Sequence, residues 1–351
     1  MPDSMYLGRA AAVIENDDLR VTVLKEGGHV AEILDKRSGV NPLWIPPWPS
    51  IEPSTYDPQK HPEYGAGTDA RLLAGIMGHN LCLDIFGGPS DAELAAGITP
   101  HGEGSVVPYE IVETDGAMTM RAHLPLAQIQ FQRQIVIVKQ DVRITEKVES
   151  LCAFDRLIGW TQHVTLGPPF LESGVTQFRA SAGPSKVNES AFGSAAYLKN
   201  GAEFDWPKAP RSDRGVADLR IFNDATVSSG YTAHLMDPRH EQAFFVAFSP
   251  ALQLAFGCIW KRTDFPWMGI WEENHSRTNP PWSGKTMTRG MEFGVSPMPE
   301  SRREMTDRGR LFGVPTYRWL PANSQLEVEY YAVVRRARSI PEVLDWPTHG
   351  S

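Results

Sequence analysis

The sequence predicts an all-β protein, a large antiparallel β-sandwich, and three observations carry that expectation. Apolar and polar residues alternate with period two in many segments, the pattern of strands with one buried face. Turn formers are dense, with 30 Gly and 28 Pro in 351 residues, so the chain is interrupted too often for long helices. Helical periodicity is confined to short pieces. Many strands, frequent turns and few helices together describe a sandwich or barrel.

In chain order, strands are expected first over residues 19–24 and 29–34. Residues 41–67 follow, holding Pro42, Pro46, Pro47, Pro49, Pro53, Pro58 and Pro62. Proline fixes φ and removes a donor, so this stretch is ordered loop or edge material. Helical pieces are expected over 69–83, 91–96 and 340–344, and strands over 106–113 and 117–124. The clearest alternation comes next: Ile129, Phe131, Ile135 and Ile137 share one face, with Gln128, Gln130, Gln132 and Gln134 on the other. Lys139, Gln140 and Asp141 make a hairpin turn into a strand that aligns Val142, Ile144 and Val148. Further strands are expected over 158–166, 243–248 and 252–260. In the last, Leu326, Val328, Tyr330, Ala332 and Val334 alternate with Glu327, Glu329 and Arg335. No repeat, low-complexity tract or composition shift marks a linker, so residues 1–351 are expected to form a single domain.

Composition narrows the function. The apolar fraction is 41% and the charged fraction 22%, ordinary for a globular chain with a substantial core. Lys plus Arg total 34 against 42 Asp plus Glu, a net charge of −8 without a basic run. That leaves no electrostatic footprint for nucleic acid or an anionic membrane. Nothing approaches the ~18 consecutive apolar residues of a membrane-spanning helix. The N-terminal segment carries Asp3 and Arg9 and lacks the apolar stretch of a signal peptide. Cys82, Cys152 and Cys258 are odd in number and widely spaced, which fits neither a disulfide framework nor a zinc knuckle. A cytoplasmic protein, monomer or homodimer, is the expectation.

Chemistry can sit in three places. His101, in Gly97-Ile-Thr-Pro-His-Gly-Glu-Gly104, lies in a loop whose glycines let backbone approach a ligand. His101-x-Glu103 has metal-pair spacing, but the further histidines of such a site are missing, and a surface loop is the plain alternative. His163 lies between Thr161 and Thr165 on the polar face of its strand; a concave ligand-binding face and a solvent-exposed face explain it equally. The run from Trp260 to Pro299 holds Trp260, Trp267, Trp271 and Trp282, with Glu272, Glu273, His275, Arg277, Arg289 and Glu292 between them. Flat indoles with charged neighbours suit a sugar's C–H faces and hydroxyls, while core-filling tryptophans and solvated charges are the alternative.

Taken in order, these pieces resemble the aldose 1-epimerase (galactose mutarotase) family. Pro100-His101-Gly102-Glu103 is similar to its Leu-His-Gly-Gly loop, Thr161-Gln162-His163 to its Thr-Asn-His strand, and Arg289-Gly-Met-Glu292-Phe-Gly294 to its Leu-Glu-Thr-Gln segment. Gly201-Ala-Glu-Phe-Asp205-Trp206 and the closing Leu320-Pro-Ala-Asn turn resemble further family stretches. The chain departs from the pattern at Gly78-His79-Asn80, where the family has an Asn-Arg pair. The resemblance implies a galactose mutarotase-like (supersandwich) fold, a hexose or hexose-derivative substrate and no cofactor or metal. It also implies Glu292 as general base, His163 as general acid and His101 as a second donor to the ring oxygen. Asp218, Asn80, Trp271, Arg289 and Gln162 are the sugar contacts it implies. Two other classes stay open: a non-catalytic carbohydrate-binding protein on the same fold, and a glycoside hydrolase or lyase using a carboxylate pair from Glu272, Glu273 and Glu292.

Overall fold

The computed structural model describes residues 4–347 and places two large antiparallel sheets face to face. The larger has twelve strands. Its middle runs in the order His79–Asp84, Arg156–Leu166, Met287–Gly294, Trp267–Asn274 and Ser228–Met236. The smaller has eight, centred on Leu254–Lys261, Gln325–Arg336, Asp141–Ser150 and Ile129–Val138. Between them lies one continuous apolar core. The alternating residues Phe131, Ile135, Val142, Ile144, Val148, Val328 and Tyr330 of the smaller sheet meet Trp160, Val164, Met291 and Phe293 of the larger. Alternation therefore builds the fold as expected of a half-buried strand, with the hydrophobic effect acting on one face.

The larger sheet is buried on both faces at its centre. All of Ser228–Met236 and Trp267–Asn274 is buried, as is most of Arg156–Leu166. A second apolar cluster, including Trp44, Leu72, Leu73, Phe86, Tyr231, Trp267, Trp271 and Trp282, covers the face turned away from the smaller sheet. Loops and short helices supply this cover, so the outer face of the sheet becomes the floor of a covered basin.

Most expected strands lie within two residues of the observed ones, and the proline-dense stretch is loop with two 3-10 turns, Pro53–Thr55 and Pro62–Tyr64. The strand expected over 106–113 starts only at Glu110. Two helical expectations are corrected. The helix placed over 69–83 stops at Gly75, and the chain re-enters the sheet as His79–Asp84. Gly78 makes that turn at φ +57, with a Cβ excluded by the Val30 carbonyl 2.4 Å away. Residues 340–344 form no helix; the i, i+4 spacing of Ile340 and Leu344 instead docks an irregular tail on Val246, Phe248 and Ala255. Among the described residues, no helix is long and apolar enough to cross a membrane.

Candidate active site

Strand pairing sets the side chains of the site in rows. In one row Asn80, His163, Glu292 and Gly269 lie side by side across four adjacent strands. The neighbouring row holds Thr165, Gly290, Trp271 and Tyr231. Residues two apart on a strand share a face, so both rows project from the outer face of the larger sheet. Met291 and Phe293, of opposite parity, point into the core. Gly269 and Gly290 give the floor its depth: the Tyr231 phenol lies over the first and the Glu292 carboxylate over the second.

Above this floor is a cavity of about 430 Å³. The helix Ala70–Gly75 and the residue after it contribute Leu72, Leu73 and Ile76. The loop after His79–Asp84 contributes Phe86, Gly87 and Gly88. Phe192, Trp271 and Trp282 complete the apolar wall, while His101, His163, Glu292, Thr68, Asp69 and Arg277 are polar.

His163 Nε2 stands 3.0 Å from Glu292 Oε1, and its Nδ1 is 2.9 Å from Thr165 Oγ1. The first pair is close without being aligned as a hydrogen bond, and Glu292 Oε1 has no hydrogen-bond partner although the residue is 2% exposed. Glu292 lines the cavity, and a buried carboxylate with one oxygen unpaired keeps acceptor capacity in reserve. His101 lies against His163 with ring centroids 5.0 Å apart, and Trp271 meets His163 edge-on at 5.7 Å. Burial pushes His101 well below the usual histidine range, and the neighbouring imidazoles of His163 and His29 add to the effect.

His101 sits at φ +65 in a turn pinned on both sides. Its N–H donates to the Gly87 carbonyl and its own carbonyl accepts from Leu83 N–H. Glu103 takes no part in the cavity: its carboxylate accepts from Ala127 N–H at 2.8 Å.

Three expected sugar contacts lie elsewhere, each for a parity or distance reason. Gln162 faces the inter-sheet core, within hydrogen-bond distance of His79, Arg133, Glu146 and Tyr330. Arg289 also has core parity, donating to the Leu219 carbonyl, facing Glu272 at 3.6 Å and lying over the Phe178 ring. Asp218 is on a separate surface hairpin, paired with Lys208 and Arg220. Asn80 reaches the site indirectly, through His101. Trp271 and Trp282 line the cavity; Trp267 is buried beside it, donating to the Pro315 carbonyl.

Arg277, one of the charged residues of the tryptophan-rich run though not among the expected sugar contacts, lines the cavity. Its guanidinium lies 4.6 Å from the Trp282 ring centre and 5.5 Å from that of Trp271, a cation–π contact with both rings at the cavity wall. Burial lowers its pKa, opposed by the carboxylates of Glu273 and Asp69. Glu273 accepts from Ser276 N–H, Ser276 Oγ and Arg277 N–H, which shapes the turn carrying Arg277. The signal was an arginine spaced between two tryptophans. Asp69, Thr68, Phe86, Phe192 and Tyr231 come from loops and strands with no motif to mark them.

No family model matches the sequence, and no curated protein matches it. Solved structures do match. A candidate aldose 1-epimerase from Klebsiella pneumoniae superposes with a TM-score of 0.67 at 13% identity, covering 95% of this chain and 82% of that one. A galactose mutarotase-like protein from Clostridium acetobutylicum gives 0.61 at 10% identity, covering 95% and 98%. Another from Lactobacillus casei gives 0.56 at 12% identity, covering 93% and 100%. At such identities the likeness speaks for the fold, and the fold is galactose mutarotase-like.

Proposed function

We propose that this protein is an aldose 1-epimerase, interconverting the α and β anomers of a hexose or hexose derivative. The observation that carries the reading is convergence. His101, His163 and Glu292 come from a loop and two strands far apart in sequence, yet meet in one cavity able to hold a pyranose. The reaction asks for that combination. Glu292 takes the proton of the C1 hydroxyl, the freed electron pair forms the C1 carbonyl, and the C1–O5 bond breaks. O5 receives its proton from His163, while His101 donates a hydrogen bond to the same oxygen. Rotation about C1–C2 presents the other carbonyl face, and the same steps in reverse close the ring. On closure His163 regains its proton and Glu292 gives its proton up, so both return to their starting states and no further reagent is consumed. Acid and base act best when held within hydrogen-bond reach of their atoms. Trp271 and Trp282 supply apolar wall beside the ring's C–H groups.

Geometry weighs against the carboxylate-pair chemistry. Glu272 faces the core, held by Ser228 Oγ at 2.6 Å and near Arg289. Glu273 is occupied by its turn. That leaves Glu292 alone of the three on the cavity floor; the cavity's other carboxylate, Asp69, lies close enough to Arg277 to act on its charge.

Glu292→Gln separates binding from chemistry. The amide keeps shape but cannot accept the C1 proton, so mutarotation should fall ~10²–10⁴-fold, the loss typical of a general base. Polarimetry of freshly dissolved α-glucose and α-galactose gives the rate, and calorimetric titration gives affinity. An unchanged rate in the variant would overturn the reading. Binding without any rate in the wild type would make the protein a carbohydrate-binding module.

A further inference from the structure

We infer that Asn80 is a positioning residue that locks His101 in its Nε2–H tautomer, making it a neutral hydrogen-bond donor toward the cavity. The direction of every bond in the chain beneath His101 follows from one fixed end. The Leu81 carbonyl can only accept, so the Ser105 hydroxyl, 2.6 Å away, donates to it. The lone pairs of that oxygen then face the Asn80 amide at 3.2 Å, and only its NH2 group can satisfy them. Asn80 Nδ2 also lies 3.1 Å from His101 Nδ1. Its second hydrogen points there, so Nδ1 accepts and the imidazole proton resides on Nε2.

Flipping the amide is costly. It would set Asn80 Oδ1 against Ser105 Oγ, two acceptors in contact, inside a site where both residues are 0% exposed. In the orientation present, Asn80 Oδ1 is buried without a partner, at about 1–3 kcal/mol; the flipped amide would leave Nδ2 in that place and add the acceptor–acceptor contact with Ser105 Oγ. Backbone bonds hold the ring in place, as Leu83 N–H binds the His101 carbonyl and the Gly87 carbonyl takes the His101 N–H.

Other groups around His101 do not supply a second proton. His163 and His29 oppose a positive charge on it, and burial opposes it further. His29 is itself held neutral by burial, its pKa lowered to about 3. Cys82, on the Asn80 strand, has its thiol pushed up by burial and by Glu292. Glu292, Asp69 and Arg277 face the same cavity from other elements. His101 thus polarises an oxygen without surrendering a proton to it, and the proton transfers belong to His163 and Glu292. This division of labour rests on the epimerase reading; the tautomer does not.

The tautomer is read directly. Two-bond 1H–15N correlation spectra of 15N-histidine-labelled protein, with His101 assigned by loss of its signals in His101→Gln, should show the Nε2–H pattern, unchanged from pH 8 to 5. A Nδ1–H pattern or a mixture would overturn the inference whatever the protein catalyses. Asn80→Asp should reverse the arrangement. A carboxylate against Nδ1 demands a hydrogen there, so the donor at Nε2 survives only in the imidazolium. The His101 15N shifts should then titrate, with the cationic form present below the raised pKa and lost above it. Where epimerase activity is measurable, kcat of Asn80→Asp should fall at alkaline pH by tenfold or more relative to wild type. His101→Gln, which returns an N–H donor, should keep more kcat than His101→Ala. Asn80→Asp spectra identical to wild type would remove Asn80 from the role.

Discussion

Gly290 stands two residues before Glu292 on the same face of its strand, and a Cβ there would lie 2.4 Å from Glu292 Oε1. The obstructing atom ends a flexible side chain, so Gly290→Ala should fold while pushing the carboxylate aside. A displacement near 1 Å from the productive position costs about 10²-fold in rate. Expected, then, is a kcat reduced by roughly that factor with a melting temperature close to wild type. Calorimetry and polarimetry on one preparation check both. A normal kcat would show that the carboxylate position tolerates the methyl.

Parity also explains what was readable in the sequence at this scale. His101, His163, Glu292 and Trp271 could be named because imidazole, carboxylate and indole carry the chemistry a sugar site needs. Gln162 and Arg289 carry suitable groups too, but stand one residue or three from the reactive side chains and so face the other way. Alternation separates two faces; it does not say which is the cavity when both are buried, as in Arg156–Leu166. Asp218 failed for another reason: distance across a surface hairpin leaves no trace in local sequence.

At the scale of elements, the strand bearing His163 is anchored from behind. Trp160 Nε1 and Gln162 Nε2 donate to Glu146 Oε2 at 2.9 and 2.7 Å, and Arg133 Nε donates to Glu146 Oε1 at 2.7 Å. Arg133 and Glu146 belong to the opposite sheet and are almost wholly buried, so a paired charge ties the two sheets together below the site. Removing one partner of a buried pair leaves the other uncompensated and costs about 3–5 kcal/mol. Glu146→Ala should lose about that much stability in urea unfolding, with Trp160 Nε1 and Gln162 Nε2 also deprived of their acceptor. A loss under about 1 kcal/mol would mean that water or rearrangement replaces the carboxylate. Sequence alone announced the strands of Arg133 and Glu146 through alternation. It did not announce their pairing, because a charge inside a sheet-to-sheet interface looks in sequence like a solvated one. The strands Ser228–Met236 and Trp267–Asn274 were harder still: buried on both faces, they show no alternation at all.

For the molecule as a whole, the buried histidines set how stability responds to acid. Burial lowers the pKa of His29, His79 and His234 to about 3, and nearby arginines add to it at each: Arg9 and Arg133 at His29, Arg133 at His79, Arg289 at His234. His101 is shifted in the same direction. Once unfolded, each returns to a value near 6.5. Between those values the unfolded chain binds protons that the folded chain refuses, so stability rises with pH across that window. It is complete above about 6.5 and drains away as the pH falls toward 3, at up to about 1.4 kcal/mol per pH unit for each histidine. Carboxylates with lowered pKa values, among them Glu189, Asp218 and Asp237, are held down by neighbouring cations that solvent partly screens, and they act only at lower pH. Asp84 and Glu272, raised by burial, act in the opposite sense. Total stabilities of folded domains are typically about 5–15 kcal/mol, so a loss of this kind is large on that scale. The urea midpoint should therefore decline steadily from pH 7 to pH 5. His234→Gln, which keeps hydrogen-bonding groups near Ser185 and Thr232 without a titratable ring, should make that decline shallower by about one proton's worth. A midpoint constant from pH 7 to pH 5 would show that the buried imidazoles take up protons in the folded state.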